Sequence, residues 1–281
     1  MSMGNFYTRW IEISKKKKSL LCAGVDPRYN KHQKKKLFSF LKRYIDNVIP
    51  YVSAFKINLQ FFRLDWEQKI LNDLLKYIKS KDDEILLIAD AKYQDIGKTN
   101  FEAMMRVHKD NIFDLATFCP FAGNLKEGVI QLDKFNVGTI NLCLMSNPEY
   151  ERQKNFLVEI KDEKIKKEHK IDLNGKSYMK KYIYDSYVSK KYGSCGIVVG
   201  STNHISSTEI RDIDCYAKSL LFLVPGFGLA QKGTLDNFLS SKINLKKIIV
   251  NVSEGLMYPR DKNQRKTAKN IKNKINRSVK W

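Results

Sequence analysis

Short apolar runs alternate along the chain with longer segments in which apolar residues recur every three or four positions. An apolar run of this length that ends at a glycine, a proline or a polar residue is typical of a buried strand, and the longer spacing is typical of a helix. The pattern predicts strands at residues 20–25, 52–58, 86–90, 115–118, 139–145, 194–199, 220–224 and 247–252. It predicts helices at residues 6–17, 37–48, 66–80, 96–109, 125–135, 177–190, 206–217, 234–240 and 260–275.

The alternation of strands with helices indicates the fold class. Strands that alternate with helices form a parallel sheet, and eight such units close into a barrel that needs about 250 residues. We therefore expect the α/β class and a single (β/α)8 TIM-barrel domain over residues 1–281. Residues 149–176 break the rhythm, because they are mostly charged and weakly periodic. We expect them to form a surface insertion, as a loop or a short hairpin rather than a separate domain.

The net charge of +21 raises the question of a nucleic-acid partner. Most of the 51 basic residues are lysines, and they are spread along the whole chain. Base readout and bidentate phosphate contacts favour arginine, and a binding arm would concentrate the charge. We therefore expect no specific nucleic-acid partner, although the positive field would attract anionic small molecules.

Cysteine and histidine spacing predicts neither disulfides nor a metal site. The five cysteines are widely spaced without a C-x-x-C pair, and the four histidines lack metal-ligand spacing. No apolar stretch reaches the roughly 18 residues of a membrane span. The N-terminal segment carries its lysines after its apolar residues, unlike a signal peptide. We expect a soluble, cytoplasmic protein with no membrane partner.

The predicted third strand ends in an acid–base pair, Asp90 and Lys92, and Asp95 follows three positions later. In an extended chain, residues two apart project to the same side. Buried charges are costly unless they are paired, so this pair is either a strand-end salt bridge or part of a site. Barrel sites form where the strands end, so Asp26 and Lys56 from the first two strands would join the pair. This convergence favours a site.

The last three predicted strands end in small residues instead, at Gly200, at residues 225–226 and at Ser253. Backbone amide groups at such strand ends can approach a phosphate closely. The barrel mouth is therefore predicted to have a charged part and a phosphate-binding part.

The third-strand segment also carries a resemblance to a known family. Residues 90–99, D-A-K-Y-Q-D-I-G-K-T, resemble the D-x-K-x-x-D-I-x-x-T signature of orotidine 5′-phosphate decarboxylases. The chain carries five further motifs in the family's order: G-V-D-P at 24–27, F-K-I-N at 55–58, D-L-A-T-F-C-P-F-A-G at 114–123, G-I-V-V-G-S-T at 196–202 and V-P-G-F-G at 224–228. The motif at 114–123 is similar to the longer bacterial branch of the family. Sister phosphosugar decarboxylases share D-x-K-x-x-D, whereas the six motifs together are specific.

The resemblance implies a reaction and its catalytic residues. Orotidine monophosphate would lose CO2 to give uridine monophosphate, in de novo pyrimidine biosynthesis, without a metal or another cofactor. The catalytic charges would be Lys56, Asp90, Lys92 and Asp95, with Lys92 as the proton donor.

The resemblance further implies how the substrate is bound. The substrate-binding residues would be Asp26, Thr99, Ser146, Pro225, Gln231, Gly233, Ser253 and Gly255. Asp26 and Thr99 would bind ribose hydroxyls, and Ser146 would bind the pyrimidine edge. The family pattern also implies a homodimer in which Asp95 and Thr99 reach the partner's site.

Two positions depart from the family pattern, both on the phosphate side. The family's glutamine follows P-G-x-G as A-Q, whereas Leu229 intervenes here before Ala230 and Gln231. The family's last strand ends S-R-G, and its arginine holds the phosphate; this chain has Glu254 at the arginine position. A carboxylate about 4 Å from a phosphate would repel it by roughly 4 kcal/mol per unit charge at an effective dielectric of about 20.

We hypothesise that Lys232 or Arg260 supplies the missing cation while Glu254 turns outward. Under this hypothesis, Glu254→Arg changes the Michaelis constant only modestly. A very large gain in activity on that change would indicate a degraded phosphate site instead.

Two other functions fit part of the pattern. A sister phosphosugar decarboxylase or aldolase with the same barrel would use magnesium, so EDTA would abolish its activity. A pseudoenzyme that keeps the barrel as a binding module would explain the altered phosphate side. Degradation would not be expected, however, to spare all four catalytic charges.

Overall fold

The structure is a computed structural model that describes residues 3–28, 34–110, 112–161, 165, 167–228, 233–279 and 281. Within these residues the chain forms eleven strands: β1 (Leu21–Val25), β2 (Ala54–Asn58), β3 (Leu86–Tyr93), β4 (Leu115–Phe118), β5 (Gly138–Leu144), β6 (Leu157–Ile160), β7 (Ile171–Leu173), β8 (Lys176–Lys180), β9 (Gly196–Val199), β10 (Leu221–Val224) and β11 (Ile248–Val252).

Eight of the strands close into a parallel barrel in the order β1-β2-β3-β4-β5-β9-β10-β11. The barrel closes because β1 pairs with both β2 and β11. Every residue of β1, β4, β9, β10 and β11 is buried, as expected for parallel strands that are covered on both faces. These eight strands are the eight that the apolar pattern predicts, and the TIM-barrel prediction is confirmed.

Helices connect the strands. Their bounds are α1 (Met3–Lys17), α2 (Lys34–Val48), α3 (Asp65–Lys81), α4 (Gly97–His108), α5 (Leu125–Asp133), α6 (Tyr150–Lys154), α7 (Lys181–Tyr192), α8 (Ser207–Ala217), α9 (Asp236–Ser240), α10 (Glu254–Met257) and α11 (Gln264–Asn276). Their apolar faces are buried in the core; α3, for example, buries Leu71, Leu74, Leu75 and Ile78. Among the described residues, no helix is long and apolar enough to cross a bilayer.

The segment after β5 contains a second, three-stranded antiparallel sheet in the order β6-β8-β7. Asn174 and Gly175 connect β7 to β8, with φ values of 49° and 72°. Two consecutive left-handed residues are the geometry of a tight hairpin turn, and Asn-Gly is its preferred sequence. The predicted helix at 177–190 is wrong at its start, because residues 176–180 belong to β8 and α7 begins at Lys181.

Close approaches between strand ends depend on glycine at two places. A Cβ atom on Gly24 of β1 would lie 1.8 Å from Oγ of Ser253, which follows β11. A Cβ atom on Gly200 would lie 2.7 Å from Cα of Ser146. Both contacts are far inside van der Waals distance, so only glycine lets these serines sit where the strands end.

Candidate active site

A cavity of about 830 Å³ opens at the C-terminal ends of the barrel strands. Asp26, Lys56, Asp90 and Lys92 give part of its wall a charged character. Another part is built from small residues of the loop after β10 and of the segment after β11. Apolar side chains line much of the remainder: Leu142, Met145, Val198, Leu223 and Val252.

A single buried carboxylate, Asp90, joins two lysines. Lys56 Nζ lies 2.5 Å from Asp90 Oδ2, and Lys92 Nζ lies 2.5 Å from Asp90 Oδ1. Thr117 Oγ1 on β4 also donates to Asp90 Oδ1 at 3.0 Å and accepts the backbone N–H of Lys92 at 2.9 Å. The three ionised side chains therefore form a fixed group with a net charge of +1.

The electrostatics of this group keep Asp90 and Lys56 ionised. Burial alone would raise the pKa of Asp90, but the ammonium groups of Lys56 and Lys92 outweigh it and hold that pKa well below its usual range. Burial alone would lower the pKa of Lys56, but Asp90 and then Asp26 hold it above its usual value. At neutral pH the carboxylate and the Lys56 ammonium are therefore both charged.

The two lysines differ in their access to the cavity. The side chain of Lys56 is 7% exposed, whereas that of Lys92 is 41% exposed. Lys92 also has a φ of 48°, and the pairing of β3 with β4 shifts register between Ala89 and Tyr93. A left-handed conformation at a residue other than glycine is uncommon and costs free energy, and such residues cluster at functional sites. The distortion positions the one accessible ammonium of the group.

Two buried oxygen atoms beside the cavity have no hydrogen-bond donor among the described residues. They are Oδ1 of Asp26 and Oδ1 of Asn251. Buried acceptors without a donor are costly, so a ligand hydroxyl or N–H at this position would be favourable.

The loop after β10 gives the cavity a narrow glycine-rich edge. Gly226 and Gly228 have φ values of 94° and 104°, where a side chain would be strained. Gly228 N–H donates to Gly233 O and Gly233 N–H donates to Gly226 O, each at 3.1 Å. A Cβ atom on Gly233 would lie 2.4 Å from Gly226 O, so the closed loop requires glycine there.

Comparison with known proteins assigns this barrel. The profile of the orotidine 5′-phosphate decarboxylase / HUMPS family matches residues 19–252. The orotidine 5′-phosphate decarboxylase of Dehalococcoides mccartyi is 30% identical over 275 residues, which cover 91% of this chain and 89% of the relative. The chain belongs to the orotidine 5′-phosphate decarboxylase / HUMPS family.

Solved structures of low identity share the fold. The structure of Leishmania donovani OMP decarboxylase has a TM-score of 0.73 at 23% identity, covering 99% of this chain and 98% of that chain. Leishmania donovani UMP synthase has a TM-score of 0.78 at 24% identity; the match covers 98% of this chain and 56% of that chain.

In this member of the orotidine 5′-phosphate decarboxylase / HUMPS family, most of the predicted site residues line one cavity. They are Asp26, Lys56, Asp90, Lys92, Ser146, Pro225, Gly233, Ser253 and Gly255. Asp95 and Thr99 are exposed on the segment after β3 and do not line it. Gln231 lies outside the described residues, as does Lys232.

Glu254 has a charge partner that the hypothesis above did not name. Glu254 is among the residues that line the cavity, its side chain is 54% exposed, and its carboxylate forms an ion pair with the guanidinium of Arg28, immediately after the G-V-D-P motif. Arg260 is exposed and does not line the cavity. The hypothesis that Arg260 replaces the missing arginine is therefore not supported by its position.

Sequence reasoning missed several residues of this family member's cavity. Thr117, which orients Asp90, lies inside a quoted motif but reads as an ordinary strand residue. Asn251 lies two positions before the family's serine and is a polar residue inside an apolar run, which is the signal that the sequence offers. In the structure its side chain is buried. Three residues from α11 also line the cavity, Thr267, Ile271 and Lys274, and no family motif reaches them.

Proposed function

We propose that this chain converts orotidine monophosphate to uridine monophosphate and CO2, as a cytoplasmic enzyme of pyrimidine biosynthesis. Membership of the family and the curated orotidine 5′-phosphate decarboxylases at 30% identity support this activity. The observation that carries the proposal is the buried Asp90 carboxylate held between Lys56 and Lys92 at the cavity wall.

The proposed chemistry needs a fixed cation next to one ring carbon. When the bond from the ring to the carboxylate breaks, its electron pair stays on the ring carbon and CO2 leaves. The ammonium of Lys92 stabilises that developing charge and then transfers a proton to the carbon. Lys92 regains its proton from solvent, so charge and atoms balance without a metal or a cofactor.

The other members of the charged group position Lys92. Asp90 holds the Lys92 ammonium at 2.5 Å and would also repel the substrate carboxylate, an effect that ends when CO2 leaves. Lys56, at 2.5 Å on the other carboxylate oxygen, keeps Asp90 ionised and oriented. Because the ion pairs with Asp90 fix both ammonium groups in place, little reorganisation is needed during the reaction.

The rest of the cavity matches the remaining parts of the substrate. In the proposed complex, Asp26 Oδ1, which has no donor among the described residues, accepts a hydrogen bond from a ribose hydroxyl. Ser146 binds the pyrimidine edge. The phosphate would lie at the glycine-rich edge. The residues proposed to contact it are Pro225, Gln231, Gly233, Ser253 and Gly255.

We further propose a homodimer in which Asp95 and Thr99 complete the partner's site. Both residues are exposed on the segment after β3, outside the cavity of their own barrel. Ile96 beside them is 59% exposed, and Phe121 after β4 is 93% exposed. The side-chain amide of Asn124 donates to Asp95 O, which holds the two exposed segments together.

The test of the activity is the loss of ultraviolet absorbance of orotidine monophosphate with purified protein. We expect turnover by the wild type and a decrease of at least about 10³-fold for Lys92→Ala, because electrostatic stabilisation and the proton donor are both removed. Lys69→Ala is the matched control, since Lys69 is exposed on α3, outside the site motifs, and its ion pair with Asp73 is long, at 3.8 Å.

Two outcomes would contradict this function. A wild-type protein that binds but does not convert orotidine monophosphate would indicate a pseudoenzyme. Turnover of a phosphosugar that EDTA abolishes would indicate the magnesium-dependent sister class, whereas EDTA leaves the proposed reaction unchanged.

A further inference from the structure

We propose that Lys274, on α11, supplies the positive charge that binds the substrate phosphate, and that Arg28 neutralises Glu254 at the same edge. This assignment rests on the proposed function, because it concerns the phosphate of the same substrate. It is an alternative to the hypothesis for Lys232, which lies outside the described residues, whereas Arg260 does not line the cavity.

Among the described residues that line the cavity, one cationic side chain is not paired with a carboxylate and can bind an anion. Among the described residues, the cationic side chains that line the cavity are Lys56, Lys92 and Lys274. Lys56 and Lys92 are both bound to Asp90, in the charged group. No carboxylate among the described residues pairs with Lys274, whose side chain is exposed at the cavity.

The helix presents Lys274 to the cavity through its regular spacing. Thr267, Ile271 and Lys274 are separated by four and three positions, so they lie on one face of α11, and all three line the cavity. Ala268 and Ile275 are buried in the core and hold the helix in place. A lysine on a packed helix of 13 residues is better positioned than one on a loop.

Lys274 lies beside the glycine-rich edge. Its Nζ atom is 5.5 Å from the centroid of the Phe227 ring, and Phe227 stands between Gly226 and Gly228. The ring contact holds the ammonium near the loop without neutralising it. A phosphate at this edge would therefore meet the backbone of the glycine loop and a free ammonium together.

Glu254 would repel a phosphate unless its charge were balanced. Its carboxylate forms an ion pair with the guanidinium of Arg28. Arg28 is itself fixed, because its backbone N–H donates to Tyr258 Oη at 2.8 Å and its guanidinium lies 5.6 Å from the centroid of that ring. Glu254 stands where the family's S-R-G ending has an arginine, and its ion pair with Arg28 has no net charge.

The match of this chain to the family profile ends at residue 252, before both Glu254 and α11. The proposed cation on α11 therefore lies outside the residues that match the family profile. In this assignment the phosphate-binding charge lies on α11, the second helix after the last barrel strand, instead of at the end of that strand.

The experiment compares a ligand with a phosphate and the same ligand without one. Equilibrium binding of uridine monophosphate and of uridine is measured for the wild type, Lys274→Met and Lys269→Met, by calorimetry and by NMR titration. Lys269 is the matched control, because it is exposed on the same helix and does not line the cavity.

We expect Lys274→Met to weaken the binding of uridine monophosphate by about 10- to 100-fold, as for the loss of one charge-assisted contact, and to leave uridine binding unchanged. Lys269→Met should change neither. Equal affinity of Lys274→Met and wild type for uridine monophosphate would overturn the assignment, as would an equal loss for uridine.

A second pair of variants tests the balancing role of Arg28. Arg28→Met should weaken the binding of uridine monophosphate by exposing the charge of Glu254, and Arg28→Met/Glu254→Gln should recover most of that loss. Failure of the double variant to recover, with uridine binding intact in both, would contradict this role.

Binding does not depend on turnover, so the two proposals fail separately. A wild type that binds uridine monophosphate through Lys274 but does not decarboxylate orotidine monophosphate would contradict the proposed function alone. A wild type that turns the substrate over while Lys274→Met binds normally would contradict the present assignment alone.

Discussion

At the scale of single residues, the arrangement of charges around Asp90 fixes the position of the Lys92 ammonium. One carboxylate binds two ammonium groups, and its second oxygen is additionally held by Thr117. A buried ion pair of this kind contributes little to stability by itself, because desolvation offsets the attraction. Its value lies in fixing Lys92 at one position, next to an open cavity.

A second titratable residue, His108, affects the stability of the barrel and has no part in the proposed chemistry. Its Nε2 lies 3.0 Å from Tyr93 Oη, and its ring packs against Phe113 and Phe135. Burial lowers the pKa of His108 from 6.5 to about 4. The native protein therefore holds this ring neutral where the unfolded chain protonates it.

The sign of the pH effect follows from that difference. Between about pH 6.5 and pH 4 the unfolded state binds one more proton than the native state, so the free energy of unfolding falls as the pH falls through this window. The total loss from this group is about 3 kcal/mol. We expect urea unfolding at pH 7.5, 5.5 and 4.5 to show it.

The matched variant is His108→Gln, which keeps a hydrogen-bonding group near Tyr93 Oη but does not titrate. The difference in unfolding free energy between wild type and variant should shrink, or reverse in sign, as the pH falls. An unchanged difference across the three pH values would contradict the assignment to His108.

Which residues meet in the site was partly predictable. Asp26, Lys56 and Asp90 lie at or near the ends of the predicted strands, and the ends of parallel strands share one edge of a barrel, so their convergence followed from the pattern alone. The left-handed backbone of Lys92 did not follow, because it arises from a shift in pairing between two strands. Lys274 was missed because its helical spacing gives no sign of which strand loop it faces.

At the scale of the elements, the seam between β1 and β11, where these two strands pair and close the barrel, is closely packed beside the site. Gly24 on β1 pairs with Lys56 on β2. Because Gly24 has no side chain, Ser253 after β11 can pack against its backbone. We expect Gly24→Ala to lower the free energy of unfolding by about 1–3 kcal/mol, since the added methyl group must displace the serine or the strands.

The control for that prediction is Gly255→Ala, because a Cβ atom there would have its nearest neighbour, Val252 Cγ1, at 4.0 Å. Thermal and chemical unfolding of the two variants should therefore differ clearly. Equal free energies of unfolding for Gly24→Ala and Gly255→Ala would contradict the prediction, because β1 and β11 would then accommodate the methyl group without loss of stability.

The elements themselves were predicted with uneven success, for a physical reason. The eight barrel strands are mostly buried and apolar on both faces, so each contains a recognisable apolar run. The strands β6, β7 and β8 face solvent on one side, so their residues alternate weakly and carry many charges. The Asn174-Gly175 pair was the one local signal of this sheet, and it marks the turn.

At the scale of the whole molecule, the proposed dimer makes a prediction about assembly and activity together. Ile96 and Phe121 expose large apolar side chains on neighbouring segments, as expected of an interface. We expect the variant Ile96→Ser/Phe121→Ser to dimerise about 100-fold more weakly in sedimentation experiments. Its activity should fall at concentrations where it is monomeric, because Asp95 and Thr99 then reach no partner.

The control is Leu239→Ser on α9, which removes another exposed apolar side chain, 39% exposed, from a different surface. It should remain dimeric and active. A wild type that is monomeric and fully active would contradict the dimer and leave the decarboxylase proposal standing.

The pairing of β1 with β11 also has a consequence for how the protein is made. More than two hundred residues separate these strands, so a ribosome working at ~5–20 residues per second exposes β1 for on the order of ten seconds or more before its second neighbour exists. During that time the growing sheet has two open edges, which are sites of faulty association. Asp26 follows the first of these strands and Ser253 follows the last, so a nascent chain cannot hold the substrate until β11 and the segment after it have been synthesised. Substrate thus cannot assist the early steps of folding and can stabilise only the completed barrel.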